Sequence, residues 1–363
     1  MSRGGDDILI PVAAMTPFAC RMIGAMGAPA PIAEEVGRHL VEADLMGVYS
    51  HGCVRLAQYA DWLSQGMFDP SGSARILKVP GARTIIDGGD GFGVPAMRLA
   101  VEAGLEEAIT GPGVSAIGVR NTGHTGRLGA FVEQAAENNC FCMIFGGGTG
   151  PGWPQVVPHG GAKGRLPTNP YAIGLPGGAH GPVVLDFATA TGSGGKVYAA
   201  QYAGHRLAPG LCVDATGAPT TNPQDYFDGG ALLPMAGAKG YGMALVAELI
   251  GGALLGEARS GMNWIVLAVH MAGFQTPELY RTLAEDILAR IRDCPPAPGF
   301  DGVEIPGERE RETLARHRET GLPIPAQTLA SIRDWAEKLG VDTREIDHAS
   351  EQPLPRAPAK HRV

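Results

Sequence analysis

The stretch from Thr84 to Phe145 limits the fold more than any other part of the chain. Short aliphatic runs alternate there with helical patterns. Thr84-Ile-Ile-Asp87 reads as a strand, and Val94 to Thr110 as a helix with Met97, Leu99, Val101 and Leu105 apolar. Val114 to Val119 is a second strand, ending at Arg120-Asn-Thr-Gly-His124. A helix over about 127–138 leads to a third strand, Cys140 to Phe145. This alternation predicts an α/β domain built on a sheet. The usual dinucleotide fingerprint of such a domain is missing, because the chain has no G-x-G-x-x-G. Gly91-Phe-Gly93 and Gly111-Pro-Gly113 carry alanine at the third glycine position. Neither combines strand–turn–helix order with an acidic residue about twenty positions on. There is no Walker A sequence. A nucleotide bound here is not held by a Rossmann fingerprint.

Helical patterns flank this region on both sides. Residues 14–26 and 30–46 read as amphipathic helices, and 53–65 continues helical with Leu56, Tyr59, Ala60 and Leu63 as its apolar set. Near the other end, 277–293 carries Leu279, Leu283, Ile287, Leu288 and Ile291, and 326–339 carries Leu329, Ile332, Trp335 and Leu339. Between them, Gly146 to Pro176 is glycine- and proline-rich and reads as one long irregular stretch, the kind that carries function. Val183 to Asp186 reads as a strand and 210–223 as a turn-rich loop. Trp264 to Val269 reads as a buried strand. Gly240 to Gly256 is almost wholly apolar. It is too short for a membrane span and contains Glu248; Gly251, Gly252 and Ala253 suit a helix packed closely on its neighbours. After Ser350 the chain turns to proline and basic residues, which predicts a disordered tail over 350–363.

Charge and composition narrow the functional classes. The formal net charge is −8 and no basic stripe is present, which argues against nucleic acid and gives no support for a membrane surface. Six cysteines form neither a CxxC pair nor a metal-ligand spacing, so no metal site is expected. Met-Ser-Arg-Gly-Gly-Asp-Asp at the start has no apolar segment directly behind its charge. Free thiols in a reducing cytoplasm are the expectation.

Polar signals flanked by glycine mark the candidate site. Asp44 to Tyr59 is the densest, with Ser50, His51, Gly52 and Arg55: a hydroxyl, an imidazole and a guanidinium that can move protons and hold a carboxylate. His124 follows a strand and precedes a helix, whose dipole would lower its pKa and favour a neutral ring. It reads either as a proton acceptor or as a cap. Thr168-Asn169-Pro170 could present polar groups to a ligand. Asp186 at a strand end could orient a histidine or a ribose, or cap a helix. Lys239-Gly240, before an apolar helix, could meet a phosphate or remain solvated.

Taken together, these stretches resemble the malate/L-lactate dehydrogenase family that is distinct from the Rossmann lactate dehydrogenases. The similarity rests on Ala43-Asp-Leu-Met-Gly-Val-Tyr-Ser-His-Gly52, Asn121-Thr-Gly-His-Thr-Gly126, Thr168-Asn-Pro170, Leu185-Asp-Phe-Ala-Thr189, Lys239-Gly-Tyr-Gly242 and Ile305-Pro-Gly-Glu308, in that order. Trp62-Leu-Ser-Gln-Gly66, His124-Thr-Gly-Arg-Leu-Gly129 and Pro219-Thr-Thr-Asn-Pro223 are similar to the hydroxycarboxylate dehydrogenase branch. The resemblance implies an α/β fold with a mixed, non-Rossmann NAD(P)-binding sheet over 79–274. It implies a helical domain from 8–78 with 275–345 that carries part of the site, and a homodimer. It implies NAD or NADP as cofactor and a small 2-oxo or 2-hydroxy acid as substrate. His124 would be the acid/base and Arg55 the carboxylate partner. His51 and Ser50 would line the nicotinamide side, with Asp186 supporting the proton chemistry. Cofactor contacts would come from His51, Thr168, Asn169, Pro170, Asp186, Ala188, Thr189, Lys239, Gly240, Pro306, Gly307 and Glu308. Three positions depart from the family pattern: Ala238 replaces a frequent histidine, Ala190 a frequent serine, and Gly146-Gly-Gly148 a polar residue. The glycines imply a wider pocket or contacts from main-chain amides. Because the family also holds imine reductases, a cyclic imino acid such as pyrroline- or piperideine-2-carboxylate is the alternative substrate. A non-catalytic ligand-binding protein on this scaffold is the other alternative.

Overall fold

The computed structural model describes residues 7–78, 83–149, 154–202, 204–259 and 261–351. The tail expected over 350–363 lies outside them from residue 352 on; residues 350 and 351 close a helix.

The chain opens with β1 (Asp7–Ile10), α1 (Val12–Ala25), α2 (Ala30–Leu45) and α3 (Val54–Ser64). α2 buries Val36, Leu40 and Ala43 on one face. It is followed by Gly47 at φ 75°, the left-handed turn that ends a helix. α3 buries Leu56, Tyr59 and Ala60, a set spaced i, i+3, i+4. β2 (Arg75–Leu77), β3 (Ile85–Gly91), α4 (Gly93–Thr110), β4 (Val114–Thr122), α5 (Gly129–Glu137) and β5 (Cys140–Gly147) supply the expected alternation. Next come β6 (Pro170–Leu175), β7 (Val183–Ala188), α6 (Gly194–Tyr202), β8 (Cys212–Val213), β9 (Pro219–Thr220), α7 (Gln224–Phe227), β10 (Ala231–Leu232) and α8 (Ala238–Glu248). The chain then forms β11 (Asn263–His270), α9 (Pro277–Arg292), α10 (Glu308–Thr320), β12 (Leu322–Pro325), α11 (Ala326–Lys338) and α12 (Arg344–Glu351).

One sheet runs β2-β3-β4-β11-β5-β6-β7. β3 and β4 are parallel and the other neighbours antiparallel, so the sheet is mixed. β11 separates β4 from β5; its Ile265 pairs with Gly118 on one side and Phe145 on the other. β6 corrects the reading of 146–176 as wholly irregular. Proline stands at its first position, where a strand tolerates it, and pairing with β5 and β7 overrides the local glycine and proline signals.

The main core lies between one face of the sheet and the helices. Phe18, Met22, Leu56, Ile86, Met97, Phe131 and Ile144 are fully buried in it. A smaller cluster of Phe145, Tyr171 and Ala247 lies under α8 on the other face. α8 is not the single apolar helix expected over 240–256, because Leu249–Leu254 passes into a π-helical segment. Leu245, Val246, Leu249 and Leu254 remain exposed. Among the described residues no helix is long and apolar enough to cross a membrane. β1 pairs with β12 from Asp7↔Pro325 to Ile10↔Leu322, tying the two ends of the chain together. α9 is capped by Thr276, whose hydroxyl accepts from the Leu279 N–H, yet none of its residues is buried.

Candidate active site

Between α2 and α3 the chain makes a 3-10 turn, Tyr49–His51. Asp44 holds this turn from beneath. It is buried, and its Oδ2 accepts from the Cys53 N–H at 2.7 Å. Gly52 makes the fit possible, since a Cβ there would lie 1.8 Å from Asp44 Oδ1. Burial pushes the Asp44 carboxyl up to about 7, against the pull of its bonds to Cys53. On the turn, Ser50 Oγ lies 2.9 Å from His51 Nδ1. Arg55 Nε donates to Ser50 O at 2.7 Å, and its Nη1 donates to Gln58 Oε1. Arg55 and Tyr59 stand one helical turn apart on α3 and so share a face.

His124 reaches this face from the end of β4. The loop after Thr122 crosses the start of α4, where the Gly93 N–H donates to His124 O at 3.2 Å. A Cβ at Gly93 would lie 2.4 Å from Gly123 O. Gly91-Phe-Gly93 therefore admits the His124 loop by close backbone approach. His124 Nδ1 lies 2.8 Å from Tyr59 Oη and 3.2 Å from the Gly126 nitrogen. The His51 ring stacks on it at 5.4 Å between centroids, and the Trp62 ring meets it edge-on at 6.4 Å. Below the loop, His39 Nε2 accepts from the Arg127 N–H at 2.9 Å and the His39 ring stacks on Phe131. Arg127 is itself buried between Glu42 and Glu133.

Both of these stacked imidazoles are held neutral. Burial, then Arg55, lowers His51 to about 3, and burial with Arg55, His51 and His39 lowers His124 well below the usual histidine range. The neutral ring agrees with the sequence reading, but the cause does not. The helix begins at Gly129, not near 127, so His124 lies five residues ahead of it. A helix dipole fades within the first turn; burial lowers the pKa instead.

Asp186 joins this loop to the edge of the sheet. Its Oδ2 accepts from the Gly129 N–H at 2.7 Å, at the start of α5, and not from an imidazole. Asp186 is exposed as a residue, while desolvation by the protein around its carboxyl raises its pKa, against the Gly129 bond and Arg127. β7, which carries it, is an edge strand. At the end of β7, Ala188 pairs with Pro170, and Thr189 donates to Thr168 O through its N–H and its hydroxyl. Thr189 O in turn accepts from the Met235 N–H at 2.7 Å, and Gly240 packs where a Cβ would lie 2.7 Å from Thr189 O. This brings the first turn of α8 beside Thr189. Lys239 is exposed there, and its ammonium has no partner among the described residues. At the start of β7, the Val184 N–H donates to Pro306 O at 3.0 Å, and Gly307 takes φ 97°. Glu308 is bound to Arg292 and to the Ile305 N–H. Burial alone would raise its pKa, but those partners outweigh it and hold it low. The segments singled out from sequence therefore lie along β7, with 306–308 at one end and 168–170, 188–189 and 239–240 at the other.

Asn169 is fully buried at φ 37°. Its Nδ2 donates to Gly146 O and to Glu248 Oε1, while its Oδ1 has no partner among the described residues. Glu248 also accepts from the Gly148 N–H at 3.0 Å. Gly146–Gly148 do not widen a pocket. A Cβ at Gly146 would lie 2.4 Å from the Trp264 ring, and one at Gly147 2.5 Å from Ala247 O. Gly146 admits the Trp264 ring of β11, Gly147 lets β5 pack against α8, and the amide of Gly148 is taken up by Glu248. Sequence reasoning missed Tyr59, which it read as core, and Glu248. The four-residue spacing from Arg55 was the one available signal for Tyr59. Among the described residues no group of three or more His, Cys, Asp or Glu is placed to hold a metal.

Residues 10–333 match the malate/L-lactate dehydrogenase family. The chain is 32% identical over 334 residues to an L-lactate dehydrogenase of Cupriavidus necator, covering 88% of this chain and 95% of the other. It is 30% identical over 339 residues to hydroxycarboxylate dehydrogenase B of Escherichia coli K12, covering 90% and 93%. The sulfolactate dehydrogenase structure of Methanocaldococcus jannaschii superposes with a TM-score of 0.83 at 27% identity, covering 94% and 100%. With the fold and the sequence match in agreement, this chain belongs to the malate/L-lactate dehydrogenase family, NAD(P)-dependent oxidoreductases that interconvert 2-oxo and 2-hydroxy acids.

Proposed function

We propose that His124 is the acid/base on the oxygen at substrate C2 and that Arg55 holds the substrate carboxylate. The observation that carries this reading is that His51 stacks on the His124 ring and Arg55 lies close enough to lower its pKa. Arg55 is preset by its bonds to Ser50 O and Gln58, and a planar guanidinium suits a carboxylate. Ser50 and His51 line the nicotinamide side. The bound nicotinamide supplies or takes the hydride at C2; the protein's part is to orient the acid and move the proton. Asp186 acts through the backbone, fixing the His124 loop to the cofactor strand.

The residues along β7 fit a nicotinamide dinucleotide, NAD or NADP. Among the described residues Asn169 Oδ1 is a buried acceptor lacking a donor, and the Lys239 ammonium, at the first turn of α8, has no partner and suits a phosphate. Thr168, Pro170, Ala188, Thr189 and Gly240 stand at that end of β7, and Pro306, Gly307 and Glu308 at the other. In this reading 8–78 with 275–345 is the helical part that brings Ser50, His51 and Arg55. The unit over 79–274 brings His124 and the cofactor strand. A second copy covers the exposed apolar stripe of α9, Leu279, Leu283, Ile287 and Ile291, which argues for a homodimer. The free thiols favour the cytoplasm. The same acid/base suits an imine nitrogen, so cyclic imino acids are the second substrate class.

The test is binding of NADH and NADPH, followed by fluorescence, alone and with a panel of 2-oxo acids. Tight binding of one, with oxidation only when the acids are present, is the expected result. Turnover with cyclic imines alone would transfer the proposal to the second class. Binding of neither cofactor would overturn it.

A further inference from the structure

Two groups meet Nδ1 of His124: the hydroxyl of Tyr59 at 2.8 Å and the main-chain N–H of Gly126 at 3.2 Å. A backbone N–H can only donate. Nδ1 must therefore offer its lone pair, and Tyr59 O–H also donates to it. A neutral imidazole carries one ring proton, so that proton sits on Nε2. Nε2 has no hydrogen-bond partner among the described residues and is not among the buried unpartnered atoms, so solvent reaches it. Tyr59 is 2% exposed and wedged between Phe92 and Trp62, at ring distances of 5.6 and 5.9 Å. Its hydroxyl has little freedom to look elsewhere. Burial raises the phenol's pKa, which keeps it protonated and able to donate.

We propose that Tyr59 is a positioning residue: together with the Gly126 N–H it fixes His124 in the tautomer protonated on Nε2, so that the site meets its substrate as a hydrogen-bond donor. The inference rests on His124 as the acid/base. It adds a direction to that role. The resting site is set to grip an acceptor, a carbonyl oxygen or an imine nitrogen; to deliver the Nε2 proton in reduction the ring first takes a proton from solvent at Nδ1, so that delivery leaves it neutral. For the reverse reaction Nε2 must offer a lone pair. The ring then carries its proton on Nδ1, and only Tyr59 can adapt, since a hydroxyl accepts as well as donates while the Gly126 N–H cannot.

Nitrogen-15 NMR of the histidine side chains in the whole protein reads this directly, with the His124 signals assigned by their loss in His124→Asn. The expected result at neutral pH is a pyridine-like, unprotonated Nδ1 and a pyrrole-like, protonated Nε2. In Tyr59→Phe the two tautomers should mix, and kcat should fall by about three- to tenfold, the worth of one hydrogen bond, with KM nearly unchanged. A wild-type ring protonated on Nδ1 would overturn the proposal, as would a Tyr59→Phe spectrum identical to wild type. Neither result depends on turnover. If His124→Asn leaves turnover intact, it is the acid/base reading that fails, whatever the tautomer.

Discussion

Arg55 sits where one charge decides substrate binding. Among the described residues it has no carboxylate partner, only the Ser50 carbonyl and the Gln58 amide oxygen, so none of them neutralises its charge. Arg55→Gln should raise KM for 2-oxo acids by about ten- to a hundredfold, since a hydrogen bond to a charged group is worth ~1.5–3 kcal/mol. Steady-state kinetics checks this, and an unchanged KM would remove Arg55 from the carboxylate. At this scale the sequence was most legible. Ser50, His51, Arg55 and His124 announce themselves because polar groups beside glycine, at the ends of apolar patterns, have few structural reasons to be there. Tyr59 was illegible, because its ring satisfies the apolar period of α3 and nothing in one dimension shows where its hydroxyl points. Asp186 was seen, but its contact with the Gly129 N–H depends on how β7 meets α5.

The supporting elements carry two further expectations. Gly147 lies against the main chain of α8, and a methyl group added to it would come within 3 Å of both Ala247 O and Glu248 N. Backbone cannot step aside, so Gly147→Ala should lower stability by about 1–3 kcal/mol in thermal unfolding. His39 gives a pH signature. It is 3% exposed, and burial, then Arg127 and Arg98, lowers it to about 3. Unfolded, it titrates near 6.5, so below that pH the unfolded chain binds more protons and stability falls. Between pH 7 and 5 the wild type should lose about 2 kcal/mol more than His39→Gln in urea unfolding. Asp44, raised to about 7, works in the opposite direction but is common to both proteins. Equal losses in the two proteins would contradict the neutral buried ring. Helices with a clear apolar stripe, such as α2 and α9, were readable from sequence. α10 was not, because it buries Thr313, His317 and Thr320 and its composition is largely charged. β6 was hidden by its own proline and glycine.

In the whole molecule, the alternation of strands and helices indicated an α/β layer, while the order of the sheet could not be read. β11 enters between β4 and β5 from more than a hundred residues downstream, and no local pattern encodes that. The exposed stripe of α9 belongs to the same scale. Ile287 is 49% exposed in the single chain, so Ile287→Glu should convert a dimer into a species of half the mass in sedimentation. A wild type already of single-chain mass would contradict the dimer. The central claim, that this cleft moves a hydride and a proton with His124 as the acid, is tested most directly by His124→Asn. NADH or NADPH binding and 2-oxo acid turnover should be measured side by side in variant and wild type. The account predicts that cofactor binding stays within about threefold while turnover falls by roughly 10²–10⁴. Turnover undiminished in His124→Asn would contradict it.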